Sequence, residues 1–141
     1  MAHRTVSDVM TPRAIAIPTT ASTIEAAEQM RVNGVGDVLV VEDGRVQGMI
    51  TDRDLVVRVL ANGRAPEATT VGDVCTRDLV AVFPDMTVEE AVLLLRQHAV
   101  RRLPVLGTDS QAVGMVSIGD LAVSEDPESV LAEISAAEPN T

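Results

Sequence analysis

The 141-residue chain lacks lysine, tryptophan and tyrosine, and it has one cysteine, two histidines and one phenylalanine. Without lysine there is neither a Schiff-base nucleophile nor a P-loop, which needs a lysine on the phosphates. The single Cys75 excludes an internal disulfide and a cysteine-rich zinc site, and it fits a reducing compartment. His3 and His98 are too few for a histidine-rich metal centre, and Phe83 leaves no second ring for stacking bases. The composition therefore predicts no metal site and no RNA-binding sheet.

Long apolar runs are also missing. No uncharged apolar stretch approaches the roughly 18 residues of a membrane span, and the first residues do not read as a signal peptide. We therefore expect a cytoplasmic protein. The net charge is −10, and residues 122–141 hold five acids and no base. A polyanionic duplex would be repelled by such a surface, so neither nucleic acid nor membrane is an expected partner.

What the chain does have is apolar side chains of moderate size. Hydrophobic residues make up 46%, and they include 23 valines and 17 alanines. Because β-branched valine favours buried strands, the sequence predicts sheet as well as helix. The length suits one domain or two small halves that share a core.

The chain carries an internal duplication. Three segments return in the same order after 64 to 66 residues: Val6–Thr11 as Val71–Thr76, Ile24–Ala27 as Val88–Ala91, and Gly48–Leu55 as Gly114–Leu121. Two copies are too few for a solenoid, so the pattern predicts a pseudo-twofold pair. The predicted boundaries are residues 5–63 and 71–123 for the repeats, 64–70 for a linker, and 124–141 for an acidic C-terminal helix and tail.

Each repeat is predicted to run β-α-β-β-α. The two heads, Val6–Met10 and Val71–Cys75, are read as short helices that pack in the core. The first strands are placed at Ile15–Ile17 and Val80–Val82, and Thr23 and Thr87 are expected to cap helices. Apolar positions with helical spacing in those helices are Ile24, Ala27 and Met30 in the first repeat, and Val88 and Leu95 in the second.

The second half of each repeat is predicted to be a hairpin followed by a helix. Val38–Val41 enters a turn at Glu42–Arg45, where Asp-Gly supplies positive φ, and the second copy has a longer turn at Gly107–Ser110. Helices are predicted from Asp52 to Asn62, ended by Gly63, and from Pro127 to Ala137. Strands buried on both faces imply an α+β fold whose two repeats pack sheet to sheet and leave symmetric clefts.

A hydroxyl residue and an aspartate recur where each hairpin ends, as Thr51-x-x-Asp54 and Ser117-x-x-Asp120. One interpretation is a capping box at a helix N-terminus. The other is a ligand site, with the hydroxyl and helix N–H groups facing a phosphate and the carboxylate accepting from ribose hydroxyls. For a single copy of the motif the capping interpretation is the favoured one, and the two interpretations are compatible.

The order of these motifs resembles the CBS domain, two of which in tandem form a Bateman module. The resemblance covers about residues 5–123, so the chain looks like a stand-alone Bateman module. It is carried by Val6–Thr11 and Val71–Thr76, by Gly48–Asp54 and Gly114–Asp120, and by His98–Val105.

The resemblance implies a regulatory sensor that binds an adenosine-containing ligand, such as AMP, ADP, ATP, S-adenosylmethionine or NAD(H), in clefts between the repeats. It implies one cleft formed by Thr11, Ala16, Asp37, Val38, Arg102, Met115, Ser117 and Asp120. The second cleft would use Met49, Thr51, Asp54, Thr76, Ala81 and Arg101. Aligning Arg101–Pro104 with Asp37–Val40 leaves the first repeat without a matching arginine. We therefore expect the Ser117/Asp120 cleft to be the better phosphate site, with Arg102 as a planar donor.

Other assignments carry less weight. Asp52, Asp54 and Asp43 could hold Mg²⁺, although acids at a helix start more often act as dipole partners. Cys75 and His98 could act as nucleophile and base, but Cys75 aligns with Met10, which indicates a buried apolar position. We expect no catalytic residue, no required cofactor, and a homodimer that reports to an effector protein. The alternative is a stress-associated interaction protein that binds no nucleotide.

Overall fold

The computed structural model describes residues 4–12 and 14–125, with only the backbone of residues 123–125. His3 and the predicted helix from Pro127 to Ala137 lie outside the described residues. Within them the helices are α1 Val6–Val9, α2 Thr23–Asn33, α3 Asp52–Asp54, α4 Val71–Val74, α5 Val88–His98 and α6 Ile118–Glu125. The strands are β1 Thr11–Pro12, β2 Ala16–Pro18, β3 Asp37–Glu42, β4 Arg45–Thr51, β5 Arg102–Leu106 and β6 Ala112–Ser117. The α+β class is confirmed. In this part of the chain no helix has both the length and the apolar character to cross a bilayer.

The described residues form two compact units. Unit 1 takes residues 4–12, 80–108 and 113–125, and its sheet has the order β1-β6-β5. Unit 2 takes residues 14–79 and 109–112, and its sheet has the order β2-β3-β4. In unit 2, β2 runs parallel to β3, and β3 and β4 form an antiparallel hairpin. Each unit has its own hydrophobic core.

The two units do not coincide with the two sequence repeats. Each unit combines the head of one repeat with the later strands and helices of the other repeat. α1 and β1 belong to unit 1, where Val6 is fully buried with Val116 and Leu103. α4 belongs to unit 2, where Val71 and Val74 join the core. The prediction that both heads are short helices packed in a core is confirmed.

The predicted cap of α5 is confirmed, and that of α2 is wrong by one residue. Thr87 accepts a hydrogen bond from the backbone N–H of Glu90 at 3.1 Å. In α2 the capping oxygen belongs to Ser22, while the buried Thr23 donates its hydroxyl to the carbonyl of Pro66 at 2.6 Å. The buried face of α2 therefore differs from the predicted one. It comprises Thr23, Ala26 and Met30, whereas Ile24 is 39% exposed.

The predicted strand at Val80–Val82 is wrong, and Pro104 explains the difference. In unit 2 the N–H of Leu39 donates to the carbonyl of Ile15 at 2.8 Å. Pro104 holds the corresponding place in unit 1 and has no N–H, so the carbonyl of Val80 has no such donor there. In the described residues this segment forms a single parallel bridge, between Val82 and Val105.

The hairpin turns and the helix after β4 follow the prediction, with one change of geometry. Asp43 and Gly44 have φ of 52° and 78°, as a tight hairpin turn requires. After α3 the chain continues as a π-helical segment, Leu55–Leu60, which is wider than the predicted α-helix. The N–H of Ala61 accordingly bonds the carbonyl of Val56, five residues back, at 2.8 Å.

Candidate ligand-binding site

Both hydroxyl–aspartate motifs form reciprocal hydrogen bonds where a hairpin strand meets a helix. In unit 2 the N–H of Asp54 donates to Thr51 Oγ1, and the N–H of Thr51 donates to Asp54 Oδ2, both at 3.0 Å. In unit 1 the equivalent distances are 3.1 Å for Asp120 N to Ser117 Oγ and 2.9 Å for Ser117 N to Asp120 Oδ2. The capping interpretation is therefore confirmed at both places.

The capping hydrogen bonds do not use every polar atom of the two motifs. The box uses Oδ2 of each aspartate, so Oδ1 lies outside it, and each hydroxyl accepts within the box while its own proton can still be donated. All four side chains are half-buried. The box also fixes the orientation of each carboxylate. The unit 1 motif can thus present a carboxylate oxygen as an acceptor and a hydroxyl as a donor to a bound molecule. In the unit 2 motif the corresponding oxygen, Asp54 Oδ1, also lies 3.6 Å from Arg58 Nε.

A glycine three residues before each hydroxyl lets the head segment approach the hairpin. An ideal Cβ on Gly48 would lie 2.7 Å from the carbonyl oxygen of Thr76, and one on Gly114 would lie 2.6 Å from that of Thr11. Real Cβ atoms essentially never come so close to a neighbouring atom. The repeated glycine is therefore explained by packing of the head, whatever the motif binds.

The residue that follows each head, Thr76 in unit 2 and Thr11 in unit 1, lies beside a predicted methionine of the hairpin strand. Met49 and Thr76 exchange two backbone hydrogen bonds of 2.9 Å in unit 2. Thr11 is the register partner of Met115 in unit 1. The predicted pairs Met49 with Thr76 and Thr11 with Met115 are therefore adjacent. The structure thus assembles Met49, Thr51, Asp54 and Thr76 in unit 2, and Thr11, Met115, Ser117 and Asp120 in unit 1.

The predicted alignment of Arg101–Pro104 with Asp37–Val40 is wrong by one residue. Asp52, the residue after Thr51, donates its N–H to the carbonyl of Gly36 at 3.0 Å. Ile118, the residue after Ser117, donates its N–H to the carbonyl of Arg101 at 2.8 Å. Gly36 therefore corresponds to Arg101, and Asp37 corresponds to Arg102. The sequence could not show this shift, because the apolar runs of the two strands fit either register.

The remaining predicted residues are placed as follows. Asp37 is 8% exposed and is the register partner of Thr51, so it belongs with the unit 2 motif. Ala16 is exposed on β2, and Val38 is 1% exposed within the core of unit 2. The side chain of Val38 is therefore part of the core and is not available to a ligand. Arg101, Arg102 and Ala81 belong to unit 1, and both arginines are exposed.

Arg58 is a residue that the sequence pattern did not single out. Its Nε lies 3.6 Å from Asp54 Oδ1, and its Nη1 donates to the carbonyl of Val74 at 2.9 Å and to that of Cys75 at 3.4 Å. The guanidinium therefore links the motif carboxylate to the end of α4. The i,i+4 spacing from Asp54 was the available signal. Ser124 stands at the matching place after Asp120.

Burial disfavours the catalytic role considered for Cys75, and the described residues give no support to the metal site. Cys75 is 8% exposed, and burial raises the pKa of its thiol, which disfavours the nucleophilic thiolate. No group of three or more His, Cys, Asp or Glu side chains in residues 4–12 and 14–125 could hold a metal ion. Asp52, Asp43 and Asp54 therefore do not form a metal cluster in the described chain.

The family model for the CBS domain matches residues 6–61 and 71–124. The CBS domain-containing protein YhcV of Bacillus subtilis is 40% identical over 120 residues, which are 85% of this chain and 84% of YhcV. A crystal structure of Hypoxic Response Protein I with two coordinated zinc ions has a TM-score of 0.77 at 30% identity, covering 84% of this chain and 97% of that one.

A third comparison includes a bound nucleotide. The crystal structure of CBSX2 in complex with AMP has a TM-score of 0.73 at 27% identity, and it covers 85% of this chain and 94% of that one. The two matches to the family model lie in tandem and together span more than half of the sequence. This chain therefore belongs to the CBS-domain family and carries two CBS domains, a pair that is in general regulatory and not catalytic.

Proposed function

We propose that this CBS pair is a regulatory module that binds an adenosine-containing ligand through its two hydroxyl–aspartate motifs. The observation that carries the proposal is the duplicated box, in which an oriented aspartate has Oδ1 outside the box and a hydroxyl retains a proton to donate. Such a carboxylate suits two neighbouring ribose hydroxyls, and a hydroxyl suits a phosphate. The AMP complex of CBSX2 supports the ligand class. AMP, ADP, ATP, S-adenosylmethionine and NAD(H) are the candidates.

The roles proposed for the two motifs differ. Ser117 and Asp120, with Thr11 and Met115 beside them, form the unit 1 site, which binds the phosphate, and Arg102 supplies the charge. Ala16, Asp37 and Val38, which the sequence assigned to that site, are residues of unit 2. Thr51, Asp54, Met49 and Thr76 contribute the second site, for which Ala81 and Arg101 of unit 1 were also predicted. No cofactor is needed for this role.

The decisive experiment is calorimetric titration of the five candidate ligands into the protein and into Asp120→Asn and Asp54→Asn. Asparagine keeps an oxygen that can accept within the box but removes the charge, so folding is preserved while ribose binding weakens. Loss of one charge-assisted bond predicts roughly a tenfold to hundredfold loss of affinity at the altered motif. Absence of binding by all five ligands at millimolar concentration would support the interaction protein that binds no nucleotide. Unchanged affinity in both variants would refute the assigned residues.

The proposal includes a homodimer that passes the signal to an effector protein. Three apolar residues of the π-helical segment, Val56, Val57 and Leu60, are 55, 47 and 62% exposed. A second copy of the chain would cover them in an isologous interface. Sedimentation velocity should show a dimer that Leu60→Glu weakens and that Phe83→Glu, at an exposed apolar residue of unit 1, leaves intact. A monomeric parent protein would contradict the dimer.

A further inference from the structure

The two hydroxyl–aspartate motifs differ at one position of the helix that follows them. In unit 2 the residue one helical turn after Asp54 is Arg58, whereas Ser124 holds that position after Asp120 in unit 1. Arg58 Nε lies 3.6 Å from Asp54 Oδ1, the carboxylate oxygen that the capping box does not use. Within the described residues no cation is paired with Asp120 Oδ1. The oxygen proposed to bind ribose is therefore shared with a guanidinium in one motif only.

Two further contacts hold the Arg58 guanidinium beside Asp54. Its Nη1 donates to the carbonyls of Val74 and Cys75 at 2.9 and 3.4 Å. Because these acceptors belong to the backbone at the end of α4, the guanidinium is fixed at a second point, although the arginine side chain is 45% exposed. A ligand that binds Asp54 Oδ1 must therefore displace the cation or share the oxygen with it. A shared carboxylate is a weaker acceptor, because part of its charge is already satisfied.

Arg58 is not needed to orient the carboxylate. In unit 1 Ser117 and Asp120 form the reciprocal box at 2.9 and 3.1 Å without an arginine at the matching place. The box of Thr51 and Asp54 has nearly the same geometry, with both distances at 3.0 Å. The orientation of each aspartate therefore comes from its box, and in unit 2 the arginine adds a competing cation.

We infer that the two motifs bind the same adenosine-containing ligand with unequal affinity, and that Arg58 lowers the affinity of unit 2 by competing with ribose for Asp54 Oδ1. As the ligand concentration rises, the motif of Ser117 and Asp120 fills first, and the motif of Thr51 and Asp54 fills later. This inference rests on the proposed function, because it assumes that both aspartates bind ribose. It adds that the module responds in two steps, over a wider range of ligand concentration than two equal sites allow.

Adenosine is the suitable probe, because it has the ribose hydroxyls and no phosphate that an arginine could attract. Asp120→Asn weakens the unit 1 motif, so calorimetry in that background measures the unit 2 motif. Adding Arg58→Ser should raise the affinity for adenosine about twofold to fivefold, which corresponds to the removal of one partly exposed ion pair. A purely structural role of Arg58 predicts the opposite sign, since a destabilised unit 2 would bind more weakly.

The matched control in the same background is Arg53→Ser, which removes an equal charge from an exposed arginine of α3 and should leave the affinity unchanged. Unchanged, weaker or undetectable adenosine binding after Arg58→Ser would overturn the inference. An equal gain in the Arg53→Ser variant would also overturn it, because the effect would then depend on net charge. If neither adenosine nor AMP binds the parent protein at millimolar concentration, the proposed function itself fails.

A salt titration tests the same competition without altering Arg58, so the inference stays testable if Arg58→Ser fails to fold. Adenosine is uncharged, and added salt therefore acts on its binding by screening the pair of Arg58 and Asp54. Its affinity for Asp120→Asn should increase with salt, whereas its affinity for Asp54→Asn, in which the unit 1 motif is measured, should change less. Adenosine should also bind Asp54→Asn more tightly than Asp120→Asn. The reverse order, or the same salt response in both variants, would overturn the inference.

Discussion

Arg58 Nε lies 3.6 Å from Asp54 Oδ1 across one helical turn, and the same guanidinium donates to the carbonyl of Val74 at 2.9 Å. This side chain therefore joins the motif of one sequence repeat to the head of the other within unit 2. Arg58 is 45% exposed and Asp54 is 13% exposed, so the ion pair is only partly shielded from water. The hydrogen bonds to the end of α4 carry most of the stabilisation.

Arg58→Ser gives unit 2 the residue that unit 1 has at the matching place. We expect the free energy of unfolding to fall by about 1–2 kcal/mol, because a charged donor is removed from two carbonyls and a carboxylate. Urea denaturation followed by circular dichroism measures this change. Arg53→Ser, at an exposed arginine in α3, should change stability by less than about 0.5 kcal/mol. Equal effects of the two substitutions would contradict the role of Arg58.

Gly48→Ala and Gly114→Ala should each destabilise the protein by about 1–3 kcal/mol, since the added methyl group forces a backbone carbonyl of the head away from the hairpin. Thermal unfolding provides the measurement. Gln47→Ala, at the neighbouring half-buried position of β4, serves as the control and should have a smaller effect. If the glycine variants were as stable as this control, the close approach of the head would not be a constraint.

Thr51→Ala removes the capping oxygen at the start of α3, and Thr51→Ser keeps it. The alanine variant should lose about 1 kcal/mol of stability, whereas the serine variant, which copies the residue at 117, should retain most of it. Chemical denaturation distinguishes the two. A serine variant as unstable as the alanine variant would mean that the methyl group, and not the hydroxyl, supports this corner of unit 2.

Cys75 provides a pH-dependent prediction. Burial raises the pKa of its thiol, so the folded state disfavours the thiolate more than the unfolded state does. The associated stability is present below the ordinary thiol pKa and is lost as pH rises above about 8.5, by at most about 1.4 kcal/mol per pH unit. Because the chain has no lysine and no tyrosine, few other groups titrate in that range. The loss should be absent in Cys75→Ala, and an identical alkaline profile in that variant would contradict the assignment.

The features that the sequence could predict are those governed by local chemistry. The Asp43-Gly44 turn, the cap at Thr87 and the box at Thr51 all depend on residues within a few positions of each other. Their geometry follows from positive φ or from a side-chain oxygen near a free N–H group.

The features that were missed depend on contacts between distant parts of the chain. Thr23 does not cap α2 because the carbonyl of Pro66, 43 residues away, takes its hydroxyl proton. Val80 is not part of a strand because Pro104 has no N–H to donate to its carbonyl. The correspondence of Asp37 with Arg102 rests on backbone hydrogen bonds that no residue pattern encodes.

The exchange of heads between the repeats has a consequence for the order in which the protein can be made. α1 and β1 leave the ribosome first, but β6, the strand that pairs with β1, is synthesised about a hundred residues later. The core around Val6 can therefore close only after Val116 has emerged, whereas unit 2 is nearly complete once residue 79 has appeared. Contacts of such high sequence separation form slowly. Unit 2 should fold first during synthesis, while the N-terminal segment waits for its partner strand.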